Sequence, residues 1–308
     1  MTKRIAIKVG SNVLAGEKGT LNKEAMAQLV YQIARLRKKD VEVVLVSSGA
    51  VAAGKGVLGS IDNHDIVSKR QLWSSAGQVN LINNYSNLLN IYQLKCAQIL
   101  VTKEDFRDRM HYLNLRNCLS TLLSQGIIPI INENDAISVT ELMFTDNDEL
   151  SGLIASMTDV SSLFILSNID GIYNGDPKEE GTSVIRNVSE TDKDITNYIT
   201  VQKSNFGRGG MITKYGVAKK VANQGIEVFI ANGLRENIIL DILDEKPETP
   251  YTRFDPIAKP STIKKWIAHS GEFAKGEIII NPGAYNALKS NRATSILPVG
   301  ITAMNGDF

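Results

Sequence analysis

Short runs of β-forming apolar residues alternate with helical stretches along most of this chain, and that alternation limits the fold more than any other feature. The runs are Ile5–Val9, Val41–Val46, Ala97–Val101, Ile127–Ile131, Leu163–Leu166 and Glu227–Ile230. Between them, Asn22–Lys39 places Leu29, Ile33 and Leu36 on one helical face, and Leu113–Leu123 and Thr213–Ala222 also read as helices. Strands that are apolar almost throughout are buried on both faces, and strands joined by helices pair in parallel. The expected fold class is α/β, a mostly parallel central sheet sandwiched by helices.

The texture changes where four prolines fall within Lys246–Pro260. Such a stretch predicts an interdomain linker over 247–263, after a large domain over 1–246. Beyond it lies a short β-rich segment over 264–308, with Trp266–Ile267, Glu277–Ile280 and Ser295–Leu297 as strand candidates.

Several function classes are disfavoured at once. A net charge of +1 supplies no bulk attraction to nucleic acid or anionic lipid. No apolar run approaches the length of a membrane span, and the opening MTKRIAIKVGS enters a strand without a signal-peptide core. Cys96 and Cys118 read as buried reduced thiols, which suits a cytoplasmic protein. His64, His111 and His269 lack ligand spacing, so no protein-built metal site is expected.

The chemistry concentrates where the apolar run at Ile127 ends in Asn132, Glu133, Asn134 and Asp135, followed ten residues later by Thr145, Asp146, Asn147 and Asp148. Asx-rich turns account for either cluster alone. Two clusters flanking one hairpin-like excursion at a strand end instead predict a polar ligand site, because unpaired buried polar groups cost several kcal/mol. Lys8 interrupts the first apolar run just before Gly10–Ser11, so it either snorkels to solvent or meets an anion. Val46–Gly49 and Phe206–Lys214 each bring glycine and exposed amides to a helix start, a suitable place for phosphate. Two other glycine patterns fail. GAVAAGK (Gly49–Lys55) has Gly56 where a P-loop needs a hydroxyl, and GKGVLG (Gly54–Gly59) is not at a strand end and lacks a convincing following helix.

IAIKVGSNVL, VVLVSSGAVAAG, KRQLWSSAGQ, INENDA, DNDELS and FGRGGMITK occur in an order that resembles the amino acid kinase family across Met1–Glu245. Within that family the match is with members that use ATP to phosphorylate the γ-carboxylate of L-glutamate, the first step of proline biosynthesis. The resemblance implies that Lys8 and Lys214 stabilise the transferred phosphoryl group and that Asp148 organises them. It implies glutamate contacts at Ser48, Gly49, Asn132, Asp135 and Asn147. It further implies a nucleotide against Lys8, Gly10, Ser167, Asn168 and the run Arg208, Gly209, Gly210, Met211, Ile212, Thr213 and Lys214, with Mg²⁺ arriving alongside ATP. Two departures stand out. Ser167-Asn168 replaces the usual Thr-Asp and removes a carboxylate, and Arg208 replaces the usual Thr and adds charge near the phosphates.

From about Lys264 the tail resembles the opening half of a PUA domain, which predicts either truncation or a different fold there. Dimers or tetramers, proline feedback inhibition and handover of an acyl phosphate to a glutamyl phosphate reductase are further expectations by resemblance. Competing readings are a same-fold kinase for aspartate, acetylglutamate, carbamate or a nucleoside monophosphate, and a nucleotide- or RNA-binding regulator without catalysis. INENDA and the PUA-like tail argue against the first, and Lys8, Lys214 and the near-zero net charge argue against the second.

Overall fold

The computed structural model describes residues 3–16, 20–62, 64–138, 144, 146–189, 210–257, 276–290 and 295–306. The chain divides into two compact units, Met1–Lys265 and Trp266–Phe308. In the larger unit β1 (Arg4–Val9) leads through α1 (Ser11–Leu14) to α2 (Lys23–Arg37) and β2 (Glu42–Ser47). Next come α3 (Ala50–Leu58), α4 (Ile66–Ile91), β3 (Cys96–Val101), α5 (Glu104–Arg107), α6 (Arg109–Ser124) and β4 (Ile128–Glu133). After them follow α7 (Asn147–Met157), β5 (Ser162–Ser167), β6 (Asn187–Val188), α8 (Met211–Ala222), β7 (Glu227–Asn232), α9 (Ile238–Leu243) and β8 (Tyr251–Phe254).

The strands line up as β3-β4-β2-β1-β5-β7-β8-β6. Pairing is parallel from β3 to β7, as helical crossovers require, and β8 runs antiparallel to β7. β1 lies centrally, with Lys8 opposite Val46 of β2 and Ile165 of β5. From β1 the chain builds β2, β3 and β4 on one side and then crosses to place β5 on the other. The carboxyl ends of β1, β2, β4 and β5 therefore meet where the winding reverses, the position at which open α/β sheets receive ligands.

Burial follows the apolar pattern. Ile5, Ile7 and Val9 share a core with Met26, Leu29, Val30 and Ile33 of α2. Each such side chain contributes about 1.5–3 kcal/mol on leaving water. Asn22 starts α2 by accepting a hydrogen bond from the Ala25 amide at 3.0 Å. Among the described residues no helix is long and apolar enough to cross a membrane.

The glycines of the two failed motifs have a packing role. A Cβ at Gly54 would lie 1.7 Å from the Trp73 carbonyl oxygen, and one at Gly77 would lie 1.8 Å from that of Ala50. α3 and α4 thus cross backbone against backbone. A helix does follow GKGVLG, contrary to expectation: α4 begins at Ile66.

Three other expectations need correction. The 247–263 linker contains β8, whose Thr252 and Phe254 are buried while Tyr251 and Arg253 are only partly so. Cys118 is exposed and Cys96 only half-buried, and both are free thiols. Ser295–Leu297 is not a strand. In the smaller unit β9 (Gly276–Ile280) pairs antiparallel with β10 (Ile301–Gly306), and α10 (Pro282–Lys289) stands between them in sequence. Trp266–Ile267 lies outside the described residues.

Candidate active site

Lys8 is 2% exposed despite its charge, so the sheet must supply an anion. That anion is Asp148, itself fully buried in the first turn of α7. Lys8 Nζ lies 2.5 Å from Asp148 Oδ1, and Lys214 Nζ, from the first turn of α8, lies 2.9 Å from Oδ2. Asp146 is the outer member of the group, 4.0 Å from Lys8 and 3.9 Å from Lys214. Two cations from distant parts of the sequence therefore converge on one carboxylate at the sheet switch point.

Electrostatics divides the two aspartates. Burial opposes ionisation of Asp148, but Lys8 and Lys214 together outweigh it and hold the carboxyl well below its ordinary value. Burial likewise opposes the charge on Lys8, and Asp148 and Asp146 overcome it, so the ammonium titrates above its usual range. At Asp146 burial wins, assisted by the charge of Asp148 against the pull of the lysines, and its pKa is raised.

Beside this centre opens a cavity of about 630 Å³. Ser48, Gly49, Asn132, Asp135 and Asn147 all line it, as does Asp146. The Asn147 amide donates to Ser48 Oγ at 2.9 Å and to Asn132 Oδ1 at 3.1 Å. Asn132 in turn donates to Gln78 Oε1 at 3.0 Å. Gly49, at φ +104°, turns the chain from β2 into α3, a conformation that glycine adopts without Cβ strain. Asn132 at the strand end and Asn147 at the start of α7 are thus tied together and to Ser48 and Gln78 along the cavity wall.

The expected nucleotide side is only partly described. Gly10 donates to the Leu166 carbonyl at 3.0 Å, which ties the turn after β1 to the end of β5, and a Cβ on Gly10 would lie at contact distance from Lys8 Nζ, 3.5 Å. Ser167 ends β5 buried, with Asn168 exposed beyond it. Gly210 caps α8 without a side-chain partner, leaving the first amides of Met211, Ile212 and Thr213 at a positive helix end. Arg208 and Gly209 lie outside the described residues.

Sequence reasoning gave no site role to Arg70 or Lys55, which line the cavity together with Glu133 of the strand-end cluster. Arg70 comes from α4 and donates to Asp135 Oδ1 at 2.7 Å, with Glu133 Oε2 at 3.9 Å. Glu133 accepts from the Phe144 amide at 2.9 Å. The signal for Arg70 was present, since KRQLWSSAGQ is one of the family motifs. Its position in a helix facing the strand ends was the missing information.

A model of the amino acid kinase family matches residues 3–232. Glutamate 5-kinase of Bacteroides thetaiotaomicron is 56% identical over 306 residues, 99% of this chain and 85% of that protein. Glutamate 5-kinase of Chlorobaculum tepidum is 48% identical, over 99% of this chain and 84% of that one. Among solved structures, carbamate kinase from Giardia lamblia bound to AMP-PNP superposes with a TM-score of 0.57 at 18% identity, covering 83% of this chain and 99% of the other. At that identity the likeness speaks for the fold alone.

Proposed function

The chain belongs to the amino acid kinase family, and from that premise we infer that it transfers the terminal phosphoryl group of ATP to the γ-carboxylate of L-glutamate. The observation that carries this reading is the convergence of Lys8 and Lys214 on Asp148 beside a cavity into which charged and amide side chains face. Curated relatives at 56% and 48% identity support glutamate as the acceptor.

The chemistry needs little covalent help. A γ-carboxylate has a reference pKa near 4.3 and is ionised at neutral pH, so no general base is required. One of its oxygens forms a bond to the γ-phosphorus while the bond from that phosphorus to the β–γ bridging oxygen breaks, and ADP leaves with the electron pair. The obstacle is repulsion between two anions. Lys8 and Lys214 offset it, already aligned by Asp148 so that little reorganisation accompanies the step. Mg²⁺ arrives with ATP and neutralises charge on its phosphate oxygens. The amides at the start of α8 add positive potential. At the other end of the cavity Ser48, Gly49, Asn132, Asp135 and Asn147 hold glutamate, with Asp135 facing its ammonium group.

Release of ADP measured with glutamate, aspartate, acetylglutamate and carbamate, together with hydroxylamine trapping of the acyl phosphate, tests this directly. Hydroxamate that depends on glutamate supports the reading, and ATP turnover with another acceptor in its place sinks it. The finer proposals are a cytoplasmic enzyme that assembles as a dimer or tetramer, is inhibited by proline and passes its labile product to a glutamyl phosphate reductase. Its kinase domain runs from the N-terminal strand through β8, beyond the 1–246 expected from sequence, and 264–308 form a PUA-like segment.

A further inference from the structure

We propose that Arg70 is a specificity-determining residue that binds the α-carboxylate of the acceptor, forming with Asp135 an amphoteric clamp for an amino acid backbone. The proposal rests on the kinase reading above and deepens it.

An α-amino acid whose side-chain carboxylate faces Lys8 and Lys214 presents two further charges, an ammonium group and a carboxylate. The ammonium group has carboxylates to meet. The α-carboxylate needs a cation, and among the described residues Lys55 and Arg70 are the two that line the cavity. Lys55 stands over the Trp73 ring, 4.9 Å from its centroid. Arg70 lies beside the strand end that carries Asn132 and Asp135. Its Nη2 is fixed by Asp135 Oδ1 at 2.7 Å, which orients the guanidinium without consuming its fork. Arg70 Nε is buried and has no hydrogen-bond partner among the described residues. A buried N–H left unsatisfied costs about 1–3 kcal/mol, a cost that a carboxylate bound against the guanidinium would relieve. A planar guanidinium suits a carboxylate in two-point contact. Asp135 keeps Oδ2 for the ammonium group, so one residue pair reads both backbone charges.

The test compares Arg70→Met and Arg70→Lys with wild type on two acceptors, L-glutamate and γ-aminobutyrate, which keeps the reacting carboxylate and the amine but lacks the α-carboxylate. Truncating one partner of a charged hydrogen-bonded pair costs enough to lower kcat/KM for glutamate on the order of 100-fold. The expected result is that loss for Arg70→Met, carried mainly by KM, with a loss at least tenfold smaller for γ-aminobutyrate and partial recovery in Arg70→Lys. Equal losses on both acceptors would mean that Arg70 merely props Asp135, and no loss on either would remove it from the site. Both outcomes overturn the proposal. Calorimetric binding of the two ligands to wild type and Arg70→Met gives the same comparison without turnover. Absence of ATP consumption by wild type would therefore count against the kinase reading, and the binding comparison would still decide the role of Arg70.

Discussion

Lys8 Nζ lies 2.5 Å from Asp148 Oδ1, although one residue belongs to the central strand and the other to a helix far along the chain. Both side chains are buried, so each depends on the other for its charge. Lys214 completes the arrangement on the second oxygen. The pair fixes α7 against the middle of the sheet and holds the site's cations in place.

Asp148→Asn therefore strands two buried ammonium groups and should destabilise the protein by about 3–5 kcal/mol, read as a lower urea midpoint. The pH dependence has a definite sign. The depressed pKa of Asp148 gives stability that is present above the ordinary carboxylate value near 3.9 and is lost as pH falls through the folded value. The raised pKa of Lys8 gives stability that is present below about 10.4 and is lost as pH rises through its folded value. The gap between wild type and variant should stay level between about pH 5 and 9 and narrow under acid. A gap that widens toward low pH would contradict the pairing.

Asp146 should behave in the opposite way. Its burial and the neighbouring Asp148 raise its pKa, so the folded state binds a proton more tightly than the unfolded state. Stability from this group declines as pH rises from the ordinary carboxylate range through the raised value, and the full penalty holds above it. Asp146→Asn is expected to melt a few degrees higher than wild type at pH 8, with the advantage fading toward pH 4. The same variant should lose activity, because Asp146 borders both lysines and the cavity. A variant that melts lower at pH 8 would show that the attraction of the lysines outweighs burial.

Lys214→Ala should lower kcat by about 10²–10³-fold while changing the glutamate KM much less, because a charge acting on the moving phosphoryl group is felt mainly in the transition state. Steady-state kinetics at saturating ATP separates the two parameters. An unaltered kcat would leave Lys214 as a structural partner of Asp148 alone.

The central strands were legible because unbroken apolar runs have few alternatives to burial between helices. Lys8 was legible for the same reason, since a cation inside such a run calls for a partner. α4 was not. Its buried stripe starts with Ser74, Gly77 and Gln78 before reaching Leu81, Tyr85 and Leu89, so small and polar residues mask the helical period. Arg70 was lost with it. β8 was read as linker because prolines flank it, although Thr252 and Phe254 follow the two-residue period of a half-buried strand. The role of Asp146 could not be told from that of Asp148 by residue type. Only the difference between full burial and an open side separates them.

The helix crossing that carries Gly49 and Ser48 toward the cavity offers a paired test with opposite signs. At Gly77 a methyl group would meet the Ala50 carbonyl oxygen at 1.8 Å and the Gly54 amide at 2.3 Å, backbone atoms that move only if the helices separate. Gly77→Ala should destabilise by about 1–3 kcal/mol or more, and should raise the glutamate KM because α3 begins at the residue after Gly49. Gly56 lies in α3, but the nearest described atoms to a methyl group there are Thr20 side-chain and Cα atoms, at 3.6 Å or beyond. Gly56→Ala should be neutral or stabilising by about 0.4–1 kcal/mol, since alanine restricts the unfolded chain and favours helix. Urea midpoints of the two variants check the pair, and a shift of both in the same direction would mean that α3 and α4 do not cross through their glycines.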